Sequence, residues 1–119
     1  KWELNRSIPE IPSPLLYNNH IYMVRNGGLL AAVNATNGKL IYRERLNAPG
    51  HFSASPIGAN GYIYLSSNRG VITIVKANRQ FNISHQYDIK SPIHATPAID
   101  KDSLYIRTEN SLWAFRNQN

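Results

Sequence analysis

Residues 53–66 read Ser53-Ala54-Ser55-Pro56-Ile57-Gly58-Ala59-Asn60-Gly61-Tyr62-Ile63-Tyr64-Leu65-Ser66. The same pattern occurs earlier, at residues 11–24, and later, at residues 94–107. Its proline recurs after 42 and 41 positions, and its second tyrosine keeps the same two spacings: Pro14, Pro56 and Pro97, and Tyr22, Tyr64 and Tyr105. A fixed period of about forty residues indicates a repeat architecture.

Each copy of this pattern leads through a polar turn into a second apolar run. In the middle unit that run, residues 71–75, consists only of β-branched residues, which favour a strand over a helix. Short apolar runs separated by Asn, Gly, Asp and Ser indicate antiparallel strands joined by tight turns. No helix-length window has a convincing apolar stripe of helical period, so the sequence predicts an all-β chain.

One repeat unit is predicted to hold four strands. In the first unit they are Pro14–Tyr17, Ile21–Val24, Leu29–Asn34 and Lys39–Arg45. Asn37-Gly38 is expected to form the last hairpin turn, because both residues tolerate positive φ. The middle unit replaces that turn with residues 77–80 and continues into a fourth strand from Phe81.

A four-stranded unit of about forty residues has the size of a β-propeller blade. The fold class predicted is therefore all-β, with about 2.5–3 blades of four antiparallel strands in a partial β-propeller. Residues 1–10 would end a preceding blade, residues 11–50 and 51–91 would form two blades, and residues 92–119 an incomplete last blade. Because complete propellers have more blades, we expect the C-terminal part of a longer propeller. The alternative is that several copies associate head to tail into a ring.

One stretch carries a family resemblance: Gly28-Leu29-Leu30-Ala31-Ala32-Val33-Asn34-Ala35-Thr36-Asn37-Gly38-Lys39-Leu40-Ile41-Tyr42. It resembles the pyrroloquinoline-quinone-like (quinoprotein-type) β-propeller repeat, with Asn34 in place of an Asp and Tyr42 in place of a Trp. The middle repeat keeps only Gly70 and the apolar run, and the third keeps the part from Ser111 to Phe115. The family includes alcohol dehydrogenases, outer-membrane assembly lipoproteins and propellers of unknown role, so the resemblance implies the fold and leaves the activity open.

The composition excludes several kinds of site. The chain has no cysteine, which excludes disulfides, thiolate metal sites and cysteine nucleophiles. Quinone-dependent enzymes hold their cofactor with a vicinal disulfide, a stacking Trp and a calcium ion, and no carboxylate here lies in a recognisable calcium loop. We therefore predict no cofactor. Pyrroloquinoline quinone and calcium would enter only under the alternative that the chain is the tail of a dehydrogenase acting on alcohols or sugars.

By analogy with other propellers, ligands are expected where the loops that enter the first strands meet the turns between second and third strands. The candidate side chains on this face are polar or cationic: His51, Ser53, Ser55, His94, Thr96, Arg25, Arg69 and Arg107. One interpretation is a cationic funnel for a protein or for an anionic or saccharide small ligand. The other is that these groups only satisfy exposed backbone around a water-filled channel.

No catalytic or metal-binding residue is predicted. A pair such as Ser53 with His94 lacks a nucleophile elbow and an orienting carboxylate. No two of the four histidines have the spacing of a zinc site.

The function predicted is a non-catalytic binding or scaffolding propeller module, and the resemblance implies export to the periplasm, the cell surface or the medium. Its 13 basic and 7 acidic side chains give a net charge of +6, which favours anionic partners. The basic residues are scattered without an aromatic platform, so nucleic acid is not expected as a partner. The longest apolar run, residues 29–33, is too short to span a membrane. The remaining expected partners are missing blades of the same chain or other copies of it.

Overall fold

The structure is a computed structural model, and it describes residues 13–25, 27–48, 50–52, 55–90, 93, 98–100, 103–107 and 112–116. These residues form three antiparallel sheets. The first sheet contains β1 (Leu15–Tyr17), β2 (His20–Arg25), β3 (Leu29–Asn34) and β4 (Leu40–Arg45). The second contains β5 (Ile57–Ala59), β6 (Tyr62–Ser66), β7 (Val71–Lys76) and β8 (Ile83–Asp88). The third contains β9 (Ala98–Asp100), β10 (Ser103–Arg107) and β11 (Leu112–Arg116).

Within each sheet the strands lie side by side in chain order. This confirms the predicted all-β class and the four-stranded antiparallel unit. In the first sheet the predicted strands agree with the observed ones to within a residue at each end. In the second sheet the fourth strand begins at Ile83, later than predicted, and Phe81 instead packs beside the core between the sheets. The segment of residues 1–10, predicted to end a preceding blade, lies outside the described residues.

The connection between β3 and β4 differs from the predicted turn. Only Gly38 has a positive φ, of 74°, whereas Asn37 does not. The Gly38 amide donates to the Asn34 carbonyl at 2.8 Å, and the side-chain Oδ1 of Asn34 accepts the Thr36 amide at 2.8 Å. Asn34, the last residue of β3, thus accepts two backbone amides of the connection, which is longer than an Asn-Gly pair alone.

The sheets pack face to face. We call the face of a sheet that points toward the next sheet in the chain its leading face. The opposite face is its trailing face. The first interface joins the leading face of the first sheet to the trailing face of the second, through buried Tyr22, Val24, Leu30, Ala32, Ile63, Leu65 and Val75. The second interface repeats this arrangement between the second and third sheets, through Tyr64, Ile72, Ile74, Leu104 and Ile106. Burial of apolar side chains between sheets therefore holds the units together.

The first strands of the three sheets are neighbours: β1 lies beside β5, and β5 lies beside β9. A backbone hydrogen bond from the Ser13 amide to Ser55 Oγ, 3.1 Å long, also crosses from the first unit to the second. The short first strands thus come together at one side of the stack, as expected for strands around a common axis.

Candidate functional site

The loop that leaves the first sheet is bound to the β6–β7 turn of the second sheet by a reciprocal pair of hydrogen bonds. The His51 amide donates to Oδ1 of Asn68 at 2.9 Å, and the Asn68 amide donates to the His51 carbonyl at 2.7 Å. The turn closes because the Gly70 amide donates to the Ser67 carbonyl at 3.1 Å and because Gly70 has a φ of +98°, which favours glycine. Asn68 therefore fixes the path of the loop that enters β5.

The next loop along the chain is bound to the same turn. The Ile89 amide donates to the Gly70 carbonyl at 2.9 Å, and the Ile93 amide donates to the Asn68 carbonyl at 3.0 Å. We call the described residues 50–52, 67–70, 89, 90 and 93 the loop cluster. It joins the two loops that enter first strands with the turn between a second and a third strand, which is the combination that the sequence analysis predicted for the ligand face.

Part of this arrangement repeats in the first sheet. The Leu46 amide donates to the Gly28 carbonyl at 2.8 Å, as the Ile89 amide does to Gly70. The residues that follow, Asn47 and Lys90, both have left-handed φ, of 56° and 55°. The end of each fourth strand is therefore turned in the same way toward the next unit.

Two of the predicted site residues lie in the loop cluster with exposed side chains, His51 and Arg69. The aliphatic part of the Arg69 side chain lies close to Gly50: a Cβ added there would be 2.9 Å from Arg69 Cγ. Gly50, with a φ of +97°, thus lets the loop pass directly over the arginine stem. The structure brings this histidine and this arginine onto one surface.

The other predicted site residues are not all part of the cluster. Arg25 is half-buried at the end of β2, in the first sheet. The Ser55 hydroxyl oxygen accepts the bond from Ser13 described above, so this serine has a structural contact between units. Arg107 ends β10 opposite Leu112. Ser53, His94 and Thr96 lie outside the described residues.

Sequence reasoning missed two members of the cluster. Asn68 was not among the predicted site residues, although its side chain and its backbone hold three segments together. Lys90 is exposed, and its amide donates to Oδ1 of Asp88 at 2.8 Å. The signal for Lys90 was its position two residues after a fourth strand. The sequence analysis did not assign an end to that strand. With Lys90, His51 and Arg69, the cluster carries three exposed basic side chains.

The buried polar groups near this end are serines. Ser67 is fully buried, and its Oγ accepts the Val71 amide at 3.2 Å. The neighbouring Ser66 is 1% exposed, and its Oγ has no hydrogen-bond partner in the described part of the protein. Of the two hydroxyls, that of Ser67 therefore holds the backbone at the start of β7, next to the turn of the cluster.

The described residues contain no arrangement typical of an active site. Ser84 Oγ lies 2.9 Å from His85 Nδ1, but both are on the outer strand β8 and no carboxylate accompanies them. Burial raises the pKa of Tyr22 to about 12 and also raises the pKa values of Tyr42 and Tyr64, so these phenols stay protonated in the core. No group of three metal-ligating side chains occurs in the part of the chain that the structure describes.

No protein-family model and no curated protein matches the chain. Solved structures do match. BamB from Moraxella catarrhalis is 14% identical with a TM-score of 0.69, over 87% of this chain and 32% of that one. The quinohemoprotein alcohol dehydrogenase ADHIIG from Pseudomonas putida HK5 is 14% identical with a TM-score of 0.72, and the match covers 98% of this chain and 20% of that one. The β-propeller domain of Cps50 (Swd1) from Myceliophteria thermophila is 13% identical with a TM-score of 0.72, and the match covers 88% of this chain and 39% of that one.

These likenesses confirm the β-propeller fold, and they are consistent with the quinoprotein-like type of propeller that the repeat signature predicted. At such low identity they show the fold alone. The chain spans between 20% and 39% of the length of these proteins, so it corresponds in extent to part of a propeller. Within the described residues no helix is long and apolar enough to cross a membrane.

Proposed function

We propose that this chain is a non-catalytic binding or scaffolding propeller module that receives an anionic ligand, such as an acidic protein segment, at the loop cluster. The observation that carries the proposal is the role of Asn68, which holds three chain segments in place while His51 and Arg69 point exposed side chains from them. A surface fixed by backbone hydrogen bonds loses little conformational entropy when a ligand binds.

The charge of the cluster supports an anionic ligand. Two of its three exposed basic side chains, Arg69 and Lys90, are among the 13 lysines and arginines that give the chain its net charge of +6. The carboxylate of Asp88, at the end of β8, accepts the Lys90 amide through Oδ1. Arg69 is exposed, and a guanidinium can bind a carboxylate through two parallel hydrogen bonds. The eight predicted ligand-face residues remain candidates, and export to the periplasm, cell surface or medium is part of the same proposal.

The proposal is tested with an octaglutamate peptide as the probe, followed by amide chemical shifts of the isotope-labelled chain. We expect saturable shifts centred on residues 50–52 and 67–70, and weaker binding at higher salt. Arg69→Glu should weaken binding roughly tenfold or more. Arg79→Glu is the matched control, because Arg79 is exposed on the connection between β7 and β8 and lies outside the cluster. Equal loss in the two variants, or shifts spread over the whole surface, would contradict a defined site.

A second candidate function is the tail of a pyrroloquinoline-quinone-dependent alcohol or sugar dehydrogenase, and the likeness to ADHIIG is the observation in its favour. The residues present do not fit the quinone or its calcium ion. The chain has no cysteine for a vicinal disulfide, and the described residues hold no cluster of carboxylates. Titration with the quinone and calcium, followed by quinone absorbance, separates the candidates: saturable binding would favour the dehydrogenase tail over the binding module.

A further inference from the structure

The turn between β5 and β6 consists of two residues whose sequence is chemically labile in proteins. Ala59 pairs with Tyr62 across the sheet, so only Asn60 and Gly61 lie between the strands. Both have positive φ, of 54° and 84°, as a type I′ turn requires, and this turn favours Asn-Gly. Both residues are also exposed. The pair that suits the turn is therefore the pair of residues that deamidates most readily.

Deamidation of an Asn-Gly pair is an intramolecular reaction. The backbone nitrogen of Gly61 loses its proton and attacks Cγ of Asn60, so that a nitrogen–carbon bond forms. The Cγ–Nδ2 bond breaks, and the released nitrogen takes up a proton and leaves as ammonia. Water then opens the resulting five-membered succinimide at either carbonyl, which gives aspartate or isoaspartate. One water is consumed and one ammonia is released, with no oxidation or reduction, and the missing side chain of glycine leaves the attacking nitrogen uncrowded.

The attacking nitrogen of this turn is hydrogen-bonded to the neighbouring unit. The Gly61 amide donates to the hydroxyl oxygen of Tyr17 at 2.7 Å, and Tyr17 is the last residue of β1 in the first sheet. The Tyr17 ring lies against Gly58 of β5, which fixes the position of the hydroxyl. This hydrogen bond must break before the nitrogen can lose its proton and turn toward Asn60. The bond therefore adds its own free energy to the barrier of the reaction.

We propose that Asn60 is a site of spontaneous deamidation, and that the Tyr17 hydroxyl keeps its rate low while the first sheet is packed against the second. The rate at Asn60 then reports the contact between the two units. Isoaspartate places one additional carbon atom in the backbone of a turn that holds only two residues, so the Gly61 amide would leave its position opposite Tyr17. The modification therefore weakens the contact that protects the site.

A second Asn-Gly pair in the chain, Asn37-Gly38, provides an internal control. Its glycine amide donates to the Asn34 carbonyl at 2.8 Å, so the attacking nitrogen is held within the first unit. Because this hydrogen bond does not involve Tyr17, a change at the tyrosine hydroxyl should leave the rate at Asn37 unaltered. The two pairs thus separate an effect on one contact between units from an effect on the whole chain.

Peptide mapping by mass spectrometry measures the deamidation of each asparagine separately, after incubation of the full chain at mildly alkaline pH. Tyr17→Phe is the informative variant, because it removes the acceptor of the Gly61 amide and keeps the ring against Gly58. We expect the rate at Asn60 to rise about two- to tenfold, which corresponds to the loss of one hydrogen bond. The rate at Asn37 should stay the same. A parallel rise at both asparagines would overturn the proposal.

Tyr22→Phe is the matched control, because the Tyr22 hydroxyl has its partner, His20 Nδ1 at 3.2 Å, in its own strand. It should leave the rate at Asn60 unchanged, and an equal rise in the two phenylalanine variants would overturn the role of Tyr17. Circular dichroism checks each fold. If Tyr17→Phe unfolds, the wild-type chain still decides: Asn60 should react more slowly in the folded chain than in urea. Equal rates at Asn60 in the folded wild type and folded Tyr17→Phe, or in the folded and urea-unfolded wild type, would overturn the proposal.

Discussion

The hydroxyl of Tyr17 accepts a hydrogen bond from the Gly61 amide at 2.7 Å, and the ring of the same tyrosine lies against Gly58. The tyrosine belongs to the first sheet and both glycines belong to the second unit. One side chain therefore contributes a polar and an apolar contact between neighbouring units. The ring fits because the second sheet has no side chain at residue 58.

The first prediction concerns Gly58→Ala. A Cβ at this position would lie 2.6 Å from Tyr17 Cδ1, closer than van der Waals contact permits, so the ring or the strand must move. We expect a loss of about 1–3 kcal/mol in the free energy of unfolding, measured by urea denaturation. In a Tyr17→Leu background the same substitution should cost less. An equal cost in the two backgrounds would show that the two residues are not in contact.

The second prediction is that Tyr42→Phe leaves stability unchanged or raises it. Tyr42 is 8% exposed, its ring packs 5.4 Å from that of Phe81, and its buried hydroxyl has no hydrogen-bond partner among the described residues. Removing a buried and unsatisfied hydroxyl removes a desolvation cost of about 1–3 kcal/mol while the ring contacts stay. Tyr22→Phe is the control, because the Tyr22 hydroxyl lies 3.2 Å from His20 Nδ1. Removal of this hydroxyl should lower the stability. Thermal denaturation compares the two, and a lower Tm for Tyr42→Phe than for Tyr22→Phe would contradict the assignment.

The third prediction concerns alkaline pH. Burial, and to a smaller extent the neighbouring Tyr17, raises the pKa of Tyr22 from 10.0 to about 12. Because the folded pKa lies above the unfolded one, the unfolded chain releases this proton first. Stability should therefore be complete below about pH 10 and fall as the pH rises toward about 12. Tyrosinate absorbance measures the ionisation of the tyrosines, and urea denaturation measures the free energy of unfolding at each pH. In Tyr22→Phe the decline should be shallower, and an identical decline would contradict the role of this tyrosine.

The fourth prediction concerns Asn68→Ala, which removes the acceptor of the His51 amide and keeps the backbone bonds of residue 68. One lost hydrogen bond of this kind should cost about 0.5–1.5 kcal/mol in the free energy of unfolding. Amide hydrogen exchange is the sharper measurement, because the His51 amide should exchange faster while the Ile93 amide keeps its protection. Asn68→Asp retains an oxygen at Oδ1 and should preserve protection at His51. Loss of protection at both amides in the alanine variant would mean that the side chain holds the entire turn.

The repeat explains how much of this fold the sequence could predict. Strand positions followed from the spacing of Pro14, Pro56 and Pro97 and from the β-branched run at residues 71–75, since both are local patterns that side chains impose on the backbone. Contacts between units were not accessible in this way. Tyr17 and Gly58 are far apart in sequence, and nothing in either segment alone indicates that a ring fills the space above a glycine.

The ligand face was accessible in part for the same reason. The fold analogy placed His51 and Arg69 near each other, and the structure does bring their loops together. The role of Asn68 was not predicted, because an asparagine in a turn satisfies local backbone in most loops. Only the three-dimensional arrangement shows that its side chain binds the loop that enters β5. Gln86 is a comparable case: its side-chain Nε2 donates to the Leu46 carbonyl of the preceding unit at 2.9 Å.

The stacking of equivalent sheets, one per repeat unit, brings together the segments of the loop cluster. Nuclear Overhauser contacts between side chains of the first two units measure this stacking directly. We predict strong contacts from the Tyr17 ring protons to the Gly58 Hα protons, together with contacts from the Tyr22 ring to the methyl groups of Leu65 and Val75. Absence of both sets in a folded chain, with Tyr22 in contact with residues of its own unit only, would contradict the account.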